Sequence, residues 1–341
     1  MNTNRRDFIK KYGIATAGII TIPTIIPACS RGKNGHVAPS DRINMAFIGA
    51  GNQAGNDVRE FLKDERLHIT TICDVNKESS GYWSGKVAGR DFITRQVDDF
   101  YTEKFGKKYQ STVGVEDFRE VIQNKDIDAV EVVTPDHWHA LIVLMASAAG
   151  KDIYCQKPLA LTIPEGRAMS NAAKKHNVVF QTGSQRRSSA QFRKICEIVR
   201  NGRIGDLHTV TCTLPSGTPD YGRTGHLTEP TKVPKDFDYE TWLGPAPSVP
   251  YCPARTHVNY RWVLDYSGGQ LTDWGGHLND MAQWGMGTDD TGPVKIQKAK
   301  GAWVEHPVWN TANRFYFECI YKNGVKLVIQ SGKDTGVKYE G

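Results

Sequence analysis

An α/β chain whose N-terminal part is a doubly wound parallel sheet is predicted by two observations. Short apolar runs alternate with helical stretches between residues 43 and 182, which is the pattern of strand–helix–strand units. The first run feeds directly into Gly49-Ala50-Gly51-Asn52-Gln53-Ala54, a G-x-G-x-x-A pattern at the start of a helix. Length adds a second domain, because 341 residues exceed one ordinary domain. The 39% apolar and 23% charged content is that of a folded globular chain. No run reaches the roughly 20 apolar residues of a membrane-spanning helix.

The chain opens with Asn4-Arg5-Arg6-Asp7-Phe8-Ile9-Lys10, an apolar stretch from Gly13 to Ile26, and then Pro27-Ala28-Cys29. Twin arginines before a moderate apolar segment are similar to a twin-arginine export signal. Ala28 before Cys29 is similar to a lipoprotein cleavage site, so residues 1–28 are expected to be removed and Cys29 lipidated. A frayed basic terminus is the plainer alternative. These residues carry half of the net charge of +6. The remaining basic residues are scattered, with no cationic stripe interleaved with aromatics, so nucleic-acid binding is not expected. Six cysteines remain after Cys29, with no C-x-x-C among them. Several sit in apolar runs and read as buried small hydrophobes.

Residues 29–42 read as a polar linker. Ile43 to Ile48 reads as a buried strand, and a helix follows the glycines as far as Lys63. The next strand, Leu67 to Cys73, ends in Asp74, 25 residues after Gly49. Each part has a physical reason. Gly49 permits the tight turn, and Gly51 lets backbone approach a pyrophosphate. Ala54 allows close helix–strand packing. The helix N-terminus, with Asn52 and Gln53 in its first turn, offers N–H groups to phosphates. Asp74 can accept hydrogen bonds from ribose hydroxyls and would repel a 2′-phosphate, which favours NAD over NADP.

The alternation continues with a helix from Phe118 to Gln123, a strand from Ala129 to Thr134, and a helix from about His139 to Ala149. A strand at Ile153-Tyr154-Cys155 runs into Gln156-Lys157-Pro158. A helix from about Pro164 to His176 and a strand from Val178 to Thr182 complete the domain. In a parallel doubly wound sheet, ligands gather at the carboxyl ends of the strands. Asp74, Thr134 and Lys157 are therefore expected to meet in one crevice. Lys157, partly desolvated and beside a cationic nicotinamide, should have a lowered pKa suited to proton shuttling. The alternative is a solvated loop lysine.

A second constellation runs from Tyr266 to Asp280. Asp273 and His277 are four apart, so a helix would place them on one face. A histidine oriented by a carboxylate can act as general acid/base towards a hydroxyl. The alternative is a capping Asp and a packed His. His137 and His139 lie two apart and share no helical face, so no metal is expected. No G-x-S-x-G supports a nucleophilic triad.

Taken together, the chain resembles the glucose–fructose oxidoreductase / inositol dehydrogenase (Gfo/Idh/MocA) family. The matching motifs are Gly49-Ala50-Gly51, Cys73-Asp74-Val75, Thr134-Pro135 with His139, and Gly150-Lys151 running to Gln156-Lys157-Pro158. Gly202-Arg203-Ile204-Gly205-Asp206-Leu207 and Gly268-Gly269 with Asp273 and His277 follow in order. The resemblance implies that Pro135, His139 and Gln156 belong to the cofactor site. It implies a C-terminal α+β domain built on a large open, mostly antiparallel sheet. It also implies that Lys157, Asp273 and His277 are catalytic, His277 and Lys157 moving a hydroxyl proton while hydride passes between a sugar carbon and NAD. A homodimer or homotetramer is common in such relatives. Three positions depart from the family pattern: Gln156 replaces a usual glutamate, Ser267 opens the Gly268-Gly269 turn, and Tyr260 stands where relatives often carry Trp.

The domains are thus expected at 43–185 (nucleotide) and 186–341 (substrate and oligomerisation). Relatives generally continue past the position of Gly341, so the second domain is expected to be incomplete, with an unpaired sheet edge. It opens with a strand from His208 to Leu214, and residues 215–256, rich in Pro, Gly and aromatics, read as a long loop near the site. Further strands are read at Val294 to Trp303, Arg314 to Tyr321 and Val325 to Gln330. Gln185, Arg186, Asn259, Tyr260, Arg261 and Trp262 are candidate sugar contacts, with core packing as the alternative for Trp262. Three functions remain open. One is an exported oxidoreductase with tightly bound NAD, acting on a ring hydroxyl of a sugar, glycoside or polyol. Another is a redox-neutral glycosidase or lyase working through a 3-keto intermediate. The last is a non-catalytic sugar-binding lipoprotein.

Overall fold

In the computed structural model, which describes residues 37–341, β1 (Ile43–Ile48) lies in the middle of a six-stranded sheet. The export segment and Cys29 lie outside the described residues. Met45 to Ile48 are all buried, as expected of a strand covered on both faces. The partners of β1 are β2 (Leu67–Cys73) on one side and β4 (Ala129–Val132) on the other. The full order is β3-β2-β1-β4-β5-β6, with β3 at Val113–Val115, β5 at Asp152–Gln156 and β6 at Phe180–Gly183. Every neighbouring pair is parallel. The order changes direction between β1 and β4, which opens a crevice beyond the strand ends.

Alternate residues of β1 serve opposite cores. Phe47 packs with Ile69, Ile72, Ile93 and Val97 under α1 (Asn52–Phe61) and α2 (Arg90–Phe105). Ile48 packs with Val130, Val132, Ile142, Val143 and Met169, beneath α3 (Phe118–Gln123), α4 (Asp136–Ala148) and α5 (Ile163–His176). α2 was not legible from the sequence. Its buried stripe is only Ile93, Val97 and Tyr101 in an otherwise polar helix. β3, three residues long, was missed for the same lack of pattern.

The second sheet has the order β11-β7-β10-β9-β8. Its strands are β7 (Thr209–Pro215), β8 (Lys295–Trp303), β9 (Ala312–Ile320), β10 (Lys326–Gly332) and β11 (Gly336–Glu340). β7 and β10 are parallel and the other pairs are antiparallel, so the open sheet is mixed. One face packs Val210, Cys212, Leu214, Leu327 and Ile329 against Leu278 and Ala282 of a covering helix, Gly275–Met286. The helix Ala190–Arg200 (α6) precedes this sheet and was also unread. The stretch after β7 contains one short α-helix, Tyr239–Leu243 (α7), and a 3₁₀ turn at Pro253–Arg255. An aromatic cluster including Trp242, Tyr251, Trp262, Tyr266 and Trp309 gives this long segment its own core. Cys73, Cys155, Cys196, Cys212, Cys252 and Cys319 are all free and buried, where the sequence reads only several of them so.

Candidate active site

The glycine loop is shaped by sterics. Gly49 has φ +108°, and a methyl group there would meet the Val133 carbonyl at 2.6 Å. Gly51 caps α1 without a side-chain hydrogen bond, which leaves first-turn N–H groups free for an anion. At the end of β2, Asp74 Oδ2 accepts from Ala50 N at 2.6 Å, and its Oδ1 accepts from Asn76 N at 2.8 Å. The carboxylate thereby ties the glycine loop to the strand end. Burial raises its pKa, against these backbone N–H bonds.

These groups line one cavity of about 550 Å³, within the size range of cofactor sites. Gly49, Gly51, Asn52, Gln53 and Asp74 lie on it, as do Thr134, Pro135, Gln156 and Lys157. The convergence of Asp74, Thr134 and Lys157 is as expected from the strand-end rule. Arg186, Tyr260, Arg261, Asp273 and His277 from the second half line the same cavity. The uncapped helix, the glycine cradle and the strand-end acid fit the diphosphate and ribose of a dinucleotide. Among the described residues no cluster has the make-up of a metal site.

The charged cluster is built by a broken helix. α8 (Gln270–Asp273) and α9 (Gly275–Met286) meet at Trp274. Gly269, φ +65°, starts α8, and a Cβ there would strike Thr311 at 2.8 Å. Lys157 Nζ donates to Asp273 Oδ1 at 2.5 Å and to the Asp273 carbonyl at 3.3 Å. Arg261 Nε stands 3.4 Å from Asp273 Oδ2. Burial acts to raise the Asp273 carboxyl, but the Arg261 and Lys157 charges overcome it and bring it to about 2. Burial, helped by the Lys157 and Arg186 charges, lowers His277 to about 4, so the imidazole is neutral at pH 7. Its Nδ1 is buried with no partner. Tyr260 donates to Asp136 Oδ1 at 2.9 Å.

Several expectations are corrected. The carboxylate of Asp273 pairs with Lys157 and Arg261 and makes no hydrogen bond to His277. The helix breaks between the two, and the cations claim both carboxylate oxygens. Asn259 is fully buried, donating to Asp220 Oδ1 at 2.8 Å and accepting from Gly222 N at 3.1 Å. Trp262 is fully buried, its Nε1 donating to the Pro219 carbonyl. Neither lines the cavity, so core packing holds for Trp262. His139 lies beneath the site, its ring nitrogens 2.9 Å from the Thr134 and Pro158 carbonyls, and so props two lining loops from behind. Gln185 supports Gln156, donating to its Oε1 at 3.0 Å. Gln156 in turn donates to Asp57 Oδ2 at 2.6 Å. Its side chain therefore serves a buried carboxylate in α1 rather than Lys157. Tyr82, Trp83, Lys86 and His257 line the cavity and were not foreseen. The Tyr82-Trp83 pair inside a Gly/Ser-rich stretch was the available signal.

Two family models match the chain: "Oxidoreductase family, NAD-binding Rossmann fold" over residues 43–184, and "Oxidoreductase family, C-terminal alpha/beta domain" over residues 188–340. The chain belongs to the Gfo/Idh/MocA oxidoreductase family. As a member of that family, it carries the NAD-binding Rossmann domain. It is 28% identical over 302 residues to an uncharacterized oxidoreductase, YrbE, of Bacillus subtilis, covering 88% of this chain and 70% of that protein. It is 26% identical over 217 residues to an α-N-acetylgalactosaminidase of Shewanella oneidensis, covering 60% of this chain and 44% of that enzyme. The chain thus spans less than half the length of this glycosidase. Its fold is similar to the WlbA dehydrogenase of Chromobacterium violaceum, solved with NADH and UDP-GlcNAcA. The TM-score is 0.61 at 16% identity, over 88% of this chain and 72% of that one.

Proposed function

We propose that the protein is an exported oxidoreductase that exchanges hydride between tightly bound NAD and a ring hydroxyl of a sugar, glycoside or polyol. The observation that carries this reading is the Lys157–Asp273–His277 cluster on the same cavity as the glycine loop and Asp74. Bound NAD supplies hydride exchange at its nicotinamide ring. His277, neutral at working pH, takes the hydroxyl proton as the carbon is oxidised and returns it in the reverse direction. Lys157 offers N–H bonds to the same oxygen, its ammonium fixed by Asp273. Arg186, Tyr260 and Arg261 face the sugar. Twin arginines at 5 and 6 support export by the twin-arginine route, with attachment through Cys29.

The similarity to an α-N-acetylgalactosaminidase favours a second reading. The same residues serve a redox-neutral cleavage in which transient oxidation at C3 acidifies the C2 proton. Elimination then removes that proton and expels the aglycone as its alcohol, water adds across the resulting double bond, and the hydride returns to C3, so no net oxidation remains. Incubating the purified full chain with a panel of glycosides, and assaying keto-sugar and free aglycone together, separates the two. Keto-sugar without cleavage supports the oxidoreductase, and cleavage without net NADH supports the glycosidase. The absence of both products, with NAD bound, would overturn the assignment of sugar chemistry.

A further inference from the structure

Residues 76–89 join β2 to α2 and contain no strand or α-helix, only bridges and a single tight turn at Trp83–Gly85. The segment is nevertheless tied down on both sides. Towards the nucleotide domain, Trp83 N donates to Asn52 Oδ1 at 2.6 Å, Asn76 N donates to Asp74 Oδ1 at 2.8 Å, and Gly89 N donates to the Ala50 carbonyl at 3.0 Å. Towards the second domain, Ser84 N donates to the Tyr221 carbonyl at 2.7 Å and Lys77 N to the Asp236 carbonyl at 2.9 Å. Two ring stacks reinforce this side. Trp83 lies on Tyr221 with centroids 4.0 Å apart and planes 19° apart, and Tyr82 lies on His257 at 4.6 Å and 26°.

Two details point to a ligand rather than to simple glue between domains. The segment's anchors in the nucleotide domain, Asn52 and Asp74, are themselves residues of the dinucleotide cavity, and Tyr82, Trp83 and Lys86 line that cavity beside them. Ser84 holds a left-handed φ of 60°, a conformation that a residue other than glycine keeps only when its surroundings impose it. Trp83 remains 43% exposed, so its ring is held by the Tyr221 stack and the Asn52 bond rather than by burial in a core.

We propose that residues 76–89 are a cofactor-retaining strap, in which Trp83, fixed between Asn52 and Tyr221, keeps bound NAD from leaving the cavity. The inference rests on the tightly bound NAD reading above and gives it a physical cause. For the dinucleotide to leave, the strap must lift, which breaks the Trp83–Tyr221 stack and the Asn52 and Ser84 hydrogen bonds together. Loss of one such stack should speed release about 10-fold.

The test uses the full chain loaded with NADH, chased with excess NAD and followed by nicotinamide fluorescence. Wild type should release slowly, Trp83→Ala and Tyr221→Leu each about 10-fold faster, and Trp83→Phe close to wild type. A folded Trp83→Ala protein that releases NADH at the wild-type rate overturns the strap, whatever its melting temperature. Hydrogen exchange on the unmutated chain gives an independent readout. The Trp83 and Ser84 amides should exchange more slowly in the NADH-loaded than in the stripped protein, and equal exchange overturns the proposal. A wild-type chain that takes up no NADH would instead overturn the retention reading beneath it.

Discussion

Lys157 and Asp273, 116 residues apart in sequence, form an ion pair at 2.5 Å with about one-tenth of each side chain exposed. The pair joins the end of β5 in the nucleotide domain to the broken helix of the second. It fixes the lysine ammonium beside a neutral His277, so a hydrogen-bond donor and a proton acceptor face one cavity. Arg261 shares the same carboxylate, which sets two cations against one acid.

Asp273→Asn should therefore cost both stability and rate. Removing one partner of a buried pair costs about 3–5 kcal/mol, and here Lys157 and Arg261 would be left facing each other. The thermal midpoint should fall, and sugar oxidation should slow by about 10²-fold or more. Unchanged melting and turnover would show that the pair is not formed in solution.

His277 sets a pH dependence. Burial and the neighbouring Lys157 and Arg186 charges lower it from 6.5 to about 4. The unfolded chain takes up this proton below about 6.5 while the folded one does not, so stability falls as pH drops from 6.5 towards 4. His137 and His257, each lowered by burial to about 4, add to the same trend. His277→Gln should lose less stability than wild type across that window. Parallel melting curves from pH 7 to pH 4 would refute the neutral imidazole.

Gln156 predicts a second pH effect. It donates to Asp57, whose carboxyl is raised by burial. Close by, Glu131 is fully buried and raised well above its ordinary value, first by burial and then by Asp57. Gln156→Glu would replace the donor with a third acid in this dry cluster. The variant should be destabilised, and more so as pH rises above about 4, where a free glutamate ionises. A melting penalty equal at pH 5 and pH 8 would contradict this.

Arg5→Lys with Arg6→Lys should leave the protein in the cytoplasm, and Cys29→Ala should release it from the membrane fraction. Fractionation checks both. Normal export of the double-lysine variant would sink the twin-arginine assignment.

The nucleotide half, apart from α2 and β3, was legible because its signals are local. Gly49, Gly51 and Asp74 follow from turn sterics and strand ends, and the parallel-sheet rule then gathers Thr134 and Lys157 at the same crevice. The second half was legible only in part. Spacing found Asp273 and His277 but paired them with each other, since no local pattern reveals a break at Trp274 or an ion pair to β5. Asn259 is a candidate sugar contact in the sequence. In the structure Asp220 and Gly222 use up its amide. Residues 76–89 carry no periodicity, so their role is visible only where they touch Asn52 and Tyr221.

The most direct measurement is a single-turnover experiment on the NAD-loaded full chain, following reduction of the bound nicotinamide after a reactive sugar or glycoside is added. Wild type should reduce its bound NAD. Lys157→Ala and His277→Ala should retain the nucleotide and reduce it about 10²–10⁴-fold more slowly. Reduction at the wild-type rate in either variant would contradict the proton-transfer site described here.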